Sequence, residues 1–158
     1  MALTPGLHTV RDLFAKLERD AALLNEAVTA DRFFNFVVTG YSLVDWVQND
    51  PDVPESAKAK AVVDGLYKDT WLKVCGDLAT ASKHFVLTKR KDPITESATT
   101  RGVALMGGGV PLMGGGVPLM AGVANIDIRL KDGTQIHGLE LVENVLAAWT
   151  AFFARHGI

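Results

Sequence analysis

The stretch Asp31-Arg-Phe-Phe-Asn-Phe-Val-Val-Thr-Gly-Tyr-Ser-Leu-Val-Asp-Trp-Val-Gln-Asn-Asp50 decides the fold. Phe33, Phe34, Phe36, Val37, Val38, Tyr41, Leu43, Val44, Trp46 and Val47 surround most of a helical axis, and a helix that is apolar on nearly every side must be enclosed by others. The segment therefore predicts the central helix of a bundle. Its polar residues Asn35, Thr39, Ser42, Asp45 and Asn49 fall within about a third of the circumference at about 100° per residue. Such a narrow stripe reads as a polar seam between helices, a thin solvent edge or the wall of a groove.

Upstream, Val10, Leu13, Phe14, Leu17, Ala21, Leu24 and Val28 recur at helical spacing, with Arg11, Asp12, Lys16, Glu18 and Arg19 on the other face. This predicts a one-sided surface helix capped by Thr9, with Asp12 near its positive end. Downstream, Pro51-Asp-Val-Pro-Glu55 breaks the chain, and Pro54 suits the first turn of a third helix because its missing N–H costs nothing there. That helix is expected to run, bent near Gly65, through Trp71 to His84. The chain closes on a helix from Leu139 to Gly157 whose apolar stripe is Val142, Val145, Leu146, Trp149, Phe152 and Phe153. Glu140 and Glu143 suit its first turn, Arg155 and His156 its last, and Gly157 its left-handed cap.

Between these helices the period changes. Phe85-Val-Leu-Thr-Lys-Arg-Lys91 and Ile94-Thr-Glu-Ser-Ala-Thr-Thr100 read as short strands, with Lys89-Arg90-Lys91 a solvated strand end. A clearer strand, Asn125-Ile-Asp-Ile-Arg-Leu-Lys131, leads through Asp132-Gly133 to Thr134-Gln-Ile-His137. A two-residue loop sets Ile128 opposite His137, whereas a three-residue loop with Gly133 left-handed sets it opposite Ile136; the apolar pattern selects the second. The predicted fold class is α+β, mainly α: an antiparallel helical bundle with a small antiparallel β-sheet inserted before the C-terminal helix. Residues 1–158 read as one domain, with a β-rich insertion at 85–139 that contains a Gly-rich loop at 102–124.

That loop writes one heptapeptide twice, Leu105-Met-Gly-Gly-Gly-Val-Pro-Leu-Met-Gly-Gly-Gly-Val-Pro118, and starts a third copy at Leu119-Met120. Gly102 to Ala124 carries no charge and is long enough to cross a bilayer. Its eight Gly and two Pro exclude a membrane helix, which would forfeit over about 10 kcal/mol of propensity. Gly107-Gly-Gly109 is not followed by Lys and Ser/Thr, so the phosphate-cradling loop is excluded as well. Apolar side chains at this density are expected to fold back on the domain or to pair with another copy. Leu105, Met106, Leu112, Met113, Leu119 and Met120 are therefore the expected interface.

A chain of 158 residues buries enough surface to need no disulfide or metal. The lone Cys75 fits a small buried hydrophobe in a reducing, cytoplasmic setting, and the N-terminus does not read as a signal peptide. A formal net charge of -2 gives no general pull toward nucleic acid or an anionic membrane. Zinc-spaced Cys or His pairs, a Gly-x-Ser-x-Gly elbow and a calcium-type Asp-x-Asp loop are all missing from the sequence, so no metal or cofactor is implied. The catalytic candidates that remain are His84, Lys83 beside it, Asp77 two helical turns back, and Asp45 on the central helix. A general base held by a carboxylate needs such a His–Asp pair, and a structural contact needs the same geometry.

Arg32-Phe-Phe-Asn-Phe-Val-Val-Thr-Gly-Tyr-Ser-Leu-Val-Asp-Trp46, Cys75-Gly-Asp-Leu-Ala-Thr-Ala-Ser-Lys-His-Phe85 and Trp149-Thr-Ala-Phe-Phe153 resemble a group of uncharacterised bacterial and phage-associated helical proteins. These carry an Asp-Trp on one helix and an Asp-Leu-Ala-x-x-x-Lys-His-Phe on the next. The likeness covers most of the chain outside the Gly-rich loop. More distantly, such bundles are similar to HEPN-type helical domains, several of which are RNases or partners of nucleotidyltransferases. The RNase members use Arg, four to six residues, then His. Arg129 is too far from His137 and Arg155 adjoins His156, so the resemblance implies fold more than activity. The expected function is a non-enzymatic interaction or oligomerisation protein that meets itself or a protein partner. The alternative is an HEPN-like RNA- or nucleotide-binding protein, or a small enzyme, centred on His84.

Overall fold

The computed structural model describes residues 5–84, 90–104, 106–107, 110–111, 113–114, 117–118 and 120–158. Thr9 opens α1 (Val10–Glu26) with a reciprocal cap: its hydroxyl accepts the Asp12 N–H, and the Asp12 carboxylate accepts the Thr9 N–H at 2.9 Å. Each bond satisfies a donor that the first helical turn leaves orphaned. A second anchor comes from the far end of α2 (Ala30–Asn49), where the buried Asp50 carboxylate accepts the Val10 N–H at 2.6 Å.

The central helix is α2, although its enclosure is incomplete: Phe34 stays 44% exposed, and Val38, Tyr41 and Trp46 are half-buried. Phe36, Val37, Leu43, Val44 and Val47 are all buried, and the C-terminal helix lays the fully buried Trp149 against them. The Trp149 indole N–H donates to the Gly40 carbonyl at 3.0 Å. The polar stripe divides in two. Thr39 is buried and donates to the Asp20 carboxylate at 2.8 Å, while the Lys16 ammonium reaches Asp20 at 2.6 Å and Thr39 at 2.7 Å, closing a seam between α1 and α2. Asn35, Asp45 and Asn49 face solvent.

The expected third helix is three helices: α3 (Glu55–Lys58), α4 (Lys60–Lys68) and α5 (Thr70–His84). Gly65 stays inside α4, and the chain turns at Ala59 and Asp69, whose ψ angles of 136° and 128° are extended. Asp69 breaks the helix because its carboxylate serves the next one, accepting the Leu72 N–H at 3.0 Å.

After α5 the described chain continues through β1 (Thr95–Ala104), the two-residue strands β2 (Met106–Gly107), β3 (Val110–Pro111), β4 (Met113–Gly114) and β5 (Val117–Pro118), then β6 (Met120–Leu130), β7 (Gln135–His137) and α6 (Gly138–His156). The main sheet is antiparallel in the order β1-β6-β7. Ile128 pairs with Ile136, the three-residue register, and Gly133 takes φ 91°, a conformation that L side chains rarely adopt. Ile126, Ile128, Leu130 and Ile136 bury the sheet against the helices, in one core with residues of all six.

The expected strand at 85–91 falls largely on residues 85–89, outside those described; Arg90 and Lys91 lie in a bend. Arg90 is not a solvated strand end, since its side chain is only 13% exposed. The architecture is mainly α, α+β, with the C-terminal helix after the strands, and no described helix is long and apolar enough to cross a membrane.

Candidate functional site

Asp77 projects from the middle of α5 and is completely buried. An isolated carboxylate would not tolerate this, and among the described residues its side-chain bonds are with the segment that leads into β1. One carboxylate oxygen takes the Arg90 Nε–H; the other accepts the backbone N–H groups of Ile94 at 2.8 Å and Thr95 at 2.9 Å. Asp77 thus ties the start of the sheet to the bundle. Arg90 is held on its remaining nitrogens, donating to the Tyr41 hydroxyl at 2.8 Å and to the Lys73 carbonyl at 3.2 Å, and it lies 4.9 Å from the centre of the Tyr41 ring. Gly76 makes room for this stack: a Cβ there would stand 2.5 Å from Arg90 Nη2 and 2.6 Å from the Tyr41 ring. Burial by itself draws the Arg90 pKa down, but bonding to Asp77 and Tyr41 outweighs it and the net direction is up. The guanidinium is a fixed positive charge.

Of the other sequence candidates, Asp45 and Lys83 make no bond to Asp77. Asp45 is exposed on α2 and shares a shallow groove of about 340 Å³ with Lys83, Ser42 and Thr80. The side chain of His84 lies outside the described residues. Cys75 is fully buried, donates to the Val37 carbonyl at 3.3 Å, and burial pushes its thiol up to about 12, which leaves it no thiolate to react with.

A constellation not singled out in the sequence sits on the outer face of the sheet. Asp127 and His137 are cross-strand partners on β6 and β7, with Asp127 Oδ1 and His137 Nδ1 3.1 Å apart. Arg101 donates to the other Asp127 oxygen at 2.5 Å, and the His137 N–H donates to Glu140 at 3.3 Å. The His137 side chain is 63% exposed, so this is an open surface network and not a water-excluded centre. The sequence did carry a signal for it, because the register that sets Ile128 against Ile136 sets Asp127 against His137.

In the repeat, Leu105, Leu112 and Leu119 lie outside the described residues, as do the side chains of Met106 and Met120. The backbone repeats its pairing as faithfully as its sequence: Met106 with Pro111 and Gly107 with Val110, then Met113 with Pro118 and Gly114 with Val117. Val110 and Met113 are 63% and 56% exposed. Among the described residues no group of His, Cys, Asp and Glu is arranged to hold a metal ion. Compared with known proteins, the chain matches no protein-family profile, no curated protein and no solved structure.

Proposed function

We propose that this chain is a non-enzymatic interaction protein that self-associates through its repeat arm. The observation that carries the reading is the exposure of Val110 and Met113, 63% and 56%, on consecutive miniature hairpins that, among the described residues, pair with no further strand. Open strand edges attract other strands. Pro111 and Pro118 offer no N–H to an incoming chain, so the Met106–Gly107 and Met113–Gly114 edges are the ones with donors. A second copy presents the same spacing of donors, acceptors and apolar side chains, which makes the arm self-complementary. Val110→Asp/Met113→Asp places charge on exposed positions and leaves the helical core alone. By light scattering, the unaltered chain is expected to exceed monomer mass and the double variant to fall toward it with unchanged helical circular dichroism. A monomeric mass for the unaltered chain refutes self-association, and an unchanged oligomeric mass in the double variant refutes the repeat arm as its interface.

A further inference from the structure

We propose that the groove between α2, α4, α5 and the bend at 90–92 is a binding site for a small organic phosphate. It encloses about 780 Å³, within the usual range for small-molecule sites. Four cations line it, Lys68, Lys73, Arg90 and Lys91, against two carboxylates, Asp64 and Asp92. The balance favours an anion more than this count alone conveys. Asp64 is already bound by Lys60 at 2.5 Å, whereas Lys68, Lys73 and Lys91 form no ion pair among the described residues. Asp64 also draws on the charge of Lys68 without an ion pair, so Lys73 and Lys91 are, among the described residues, the groove's two uncommitted ammonium groups, in a chain whose overall charge is -2.

The wall is also rigid where a ligand needs it. Arg90 is fixed through Asp77, Tyr41 and Lys73, so no large rotamer entropy is lost when an anion approaches its outer edge. Because the Tyr41 oxygen accepts from Arg90, its own proton remains to be donated. Tyr67 adds a second ring and hydroxyl, and burial raises its pKa, keeping it a neutral donor. Lysines supply point charges for phosphate oxygens, while Thr80, Asp92 and the tyrosines match hydroxyl groups on the carrier. An organic phosphate uses both halves of the groove; inorganic phosphate uses one.

Isothermal titration of the full chain with ribose 5-phosphate and with inorganic phosphate tests this. Ribose 5-phosphate is expected to bind the more tightly. Lys68→Ala/Lys91→Ala, at exposed positions, should weaken its binding about tenfold or more, and Lys131→Ala on the sheet turn should leave it unchanged. The proposal is overturned if neither probe binds at millimolar concentration, or if Lys131→Ala weakens binding as much as the double variant. It is equally overturned if only a single-stranded RNA oligomer binds, which would assign the charge to a nucleic-acid surface.

Discussion

Asp77→Asn isolates the ion pair at the centre of the fold. One carboxylate oxygen takes both amides, of Ile94 and Thr95, and the other takes Arg90. The asparagine carbonyl can keep the first role, but its NH2 group must then face the Arg90 Nε–H, donor against donor. Removing one partner of a buried pair costs about 3–5 kcal/mol. Arg90 keeps Tyr41 and the Lys73 carbonyl and borders an open groove, so the low end, about 3 kcal/mol, is expected. Asp77→Ala should cost about 1–3 kcal/mol more, since it also strips the acceptor from two amides. Urea unfolding followed by circular dichroism measures both, and repeating Asp77→Asn in an Arg90→Met background closes a double-mutant cycle. With the guanidinium gone the substitution should cost under about 1 kcal/mol, a coupling of roughly 2 kcal/mol. A loss within about 0.5 kcal/mol of zero in the native background, or equal losses in both backgrounds, would show that Asp77 does not hold the sheet to the bundle as argued.

Trp149→Phe removes the buried indole N–H bond to Gly40 and leaves unfilled volume beside α2, so a loss of about 2–3 kcal/mol and a Tm lower by about 6–10 °C are expected by calorimetry; a loss below about 1 kcal/mol contradicts that packing. Asp12 gives the pH dependence. Backbone donation from His8 and Thr9, with help from the Thr9 hydroxyl, holds its carboxyl below the usual carboxylate range. A depressed folded pKa contributes stability that is present above the unfolded value and lost as pH falls through the folded one. The Tm gap between the unaltered chain and Asp12→Asn should therefore shrink between about pH 5 and about pH 2, and a gap constant across that window refutes the capping role.

The helices were legible because the bundle imposes its period directly on the sequence. Thr9 and Asp12 announce the start of α1, and the apolar circumference of α2 requires enclosure. The hairpin register was legible for a related reason, since only one loop length puts Ile128 and Ile136 on the same face. The breaks at Ala59 and Asp69 were not. Gly65 is the weaker helix former, yet Asp69 gains an N-cap bond by leaving the helix, and that local alternative decides the boundary.

Arg90 shows where a one-dimensional reading fails for a physical reason. In Lys89-Arg90-Lys91 three neighbouring cations look equivalent, and a run of like charge is ordinarily solvated. What distinguishes the middle one lies on another element. Gly76 and Asp77 sit side by side in the interior of α5, where Gly sacrifices about 1 kcal/mol of helix propensity and Asp is also a poor choice. Two adjacent residues that weaken a helix imply a tertiary demand stronger than the local one. Asp77 is then the only buried carboxylate on α5, and Gly76 beside it clears a space with the Tyr41 ring for one wall. A planar guanidinium fills such a space while meeting a carboxylate, a hydroxyl and a carbonyl at once, and an ammonium does not. Gly76-Asp77 is thus the imprint on α5 of a partner thirteen residues beyond Asp77, and it selects the arginine from between its two lysines.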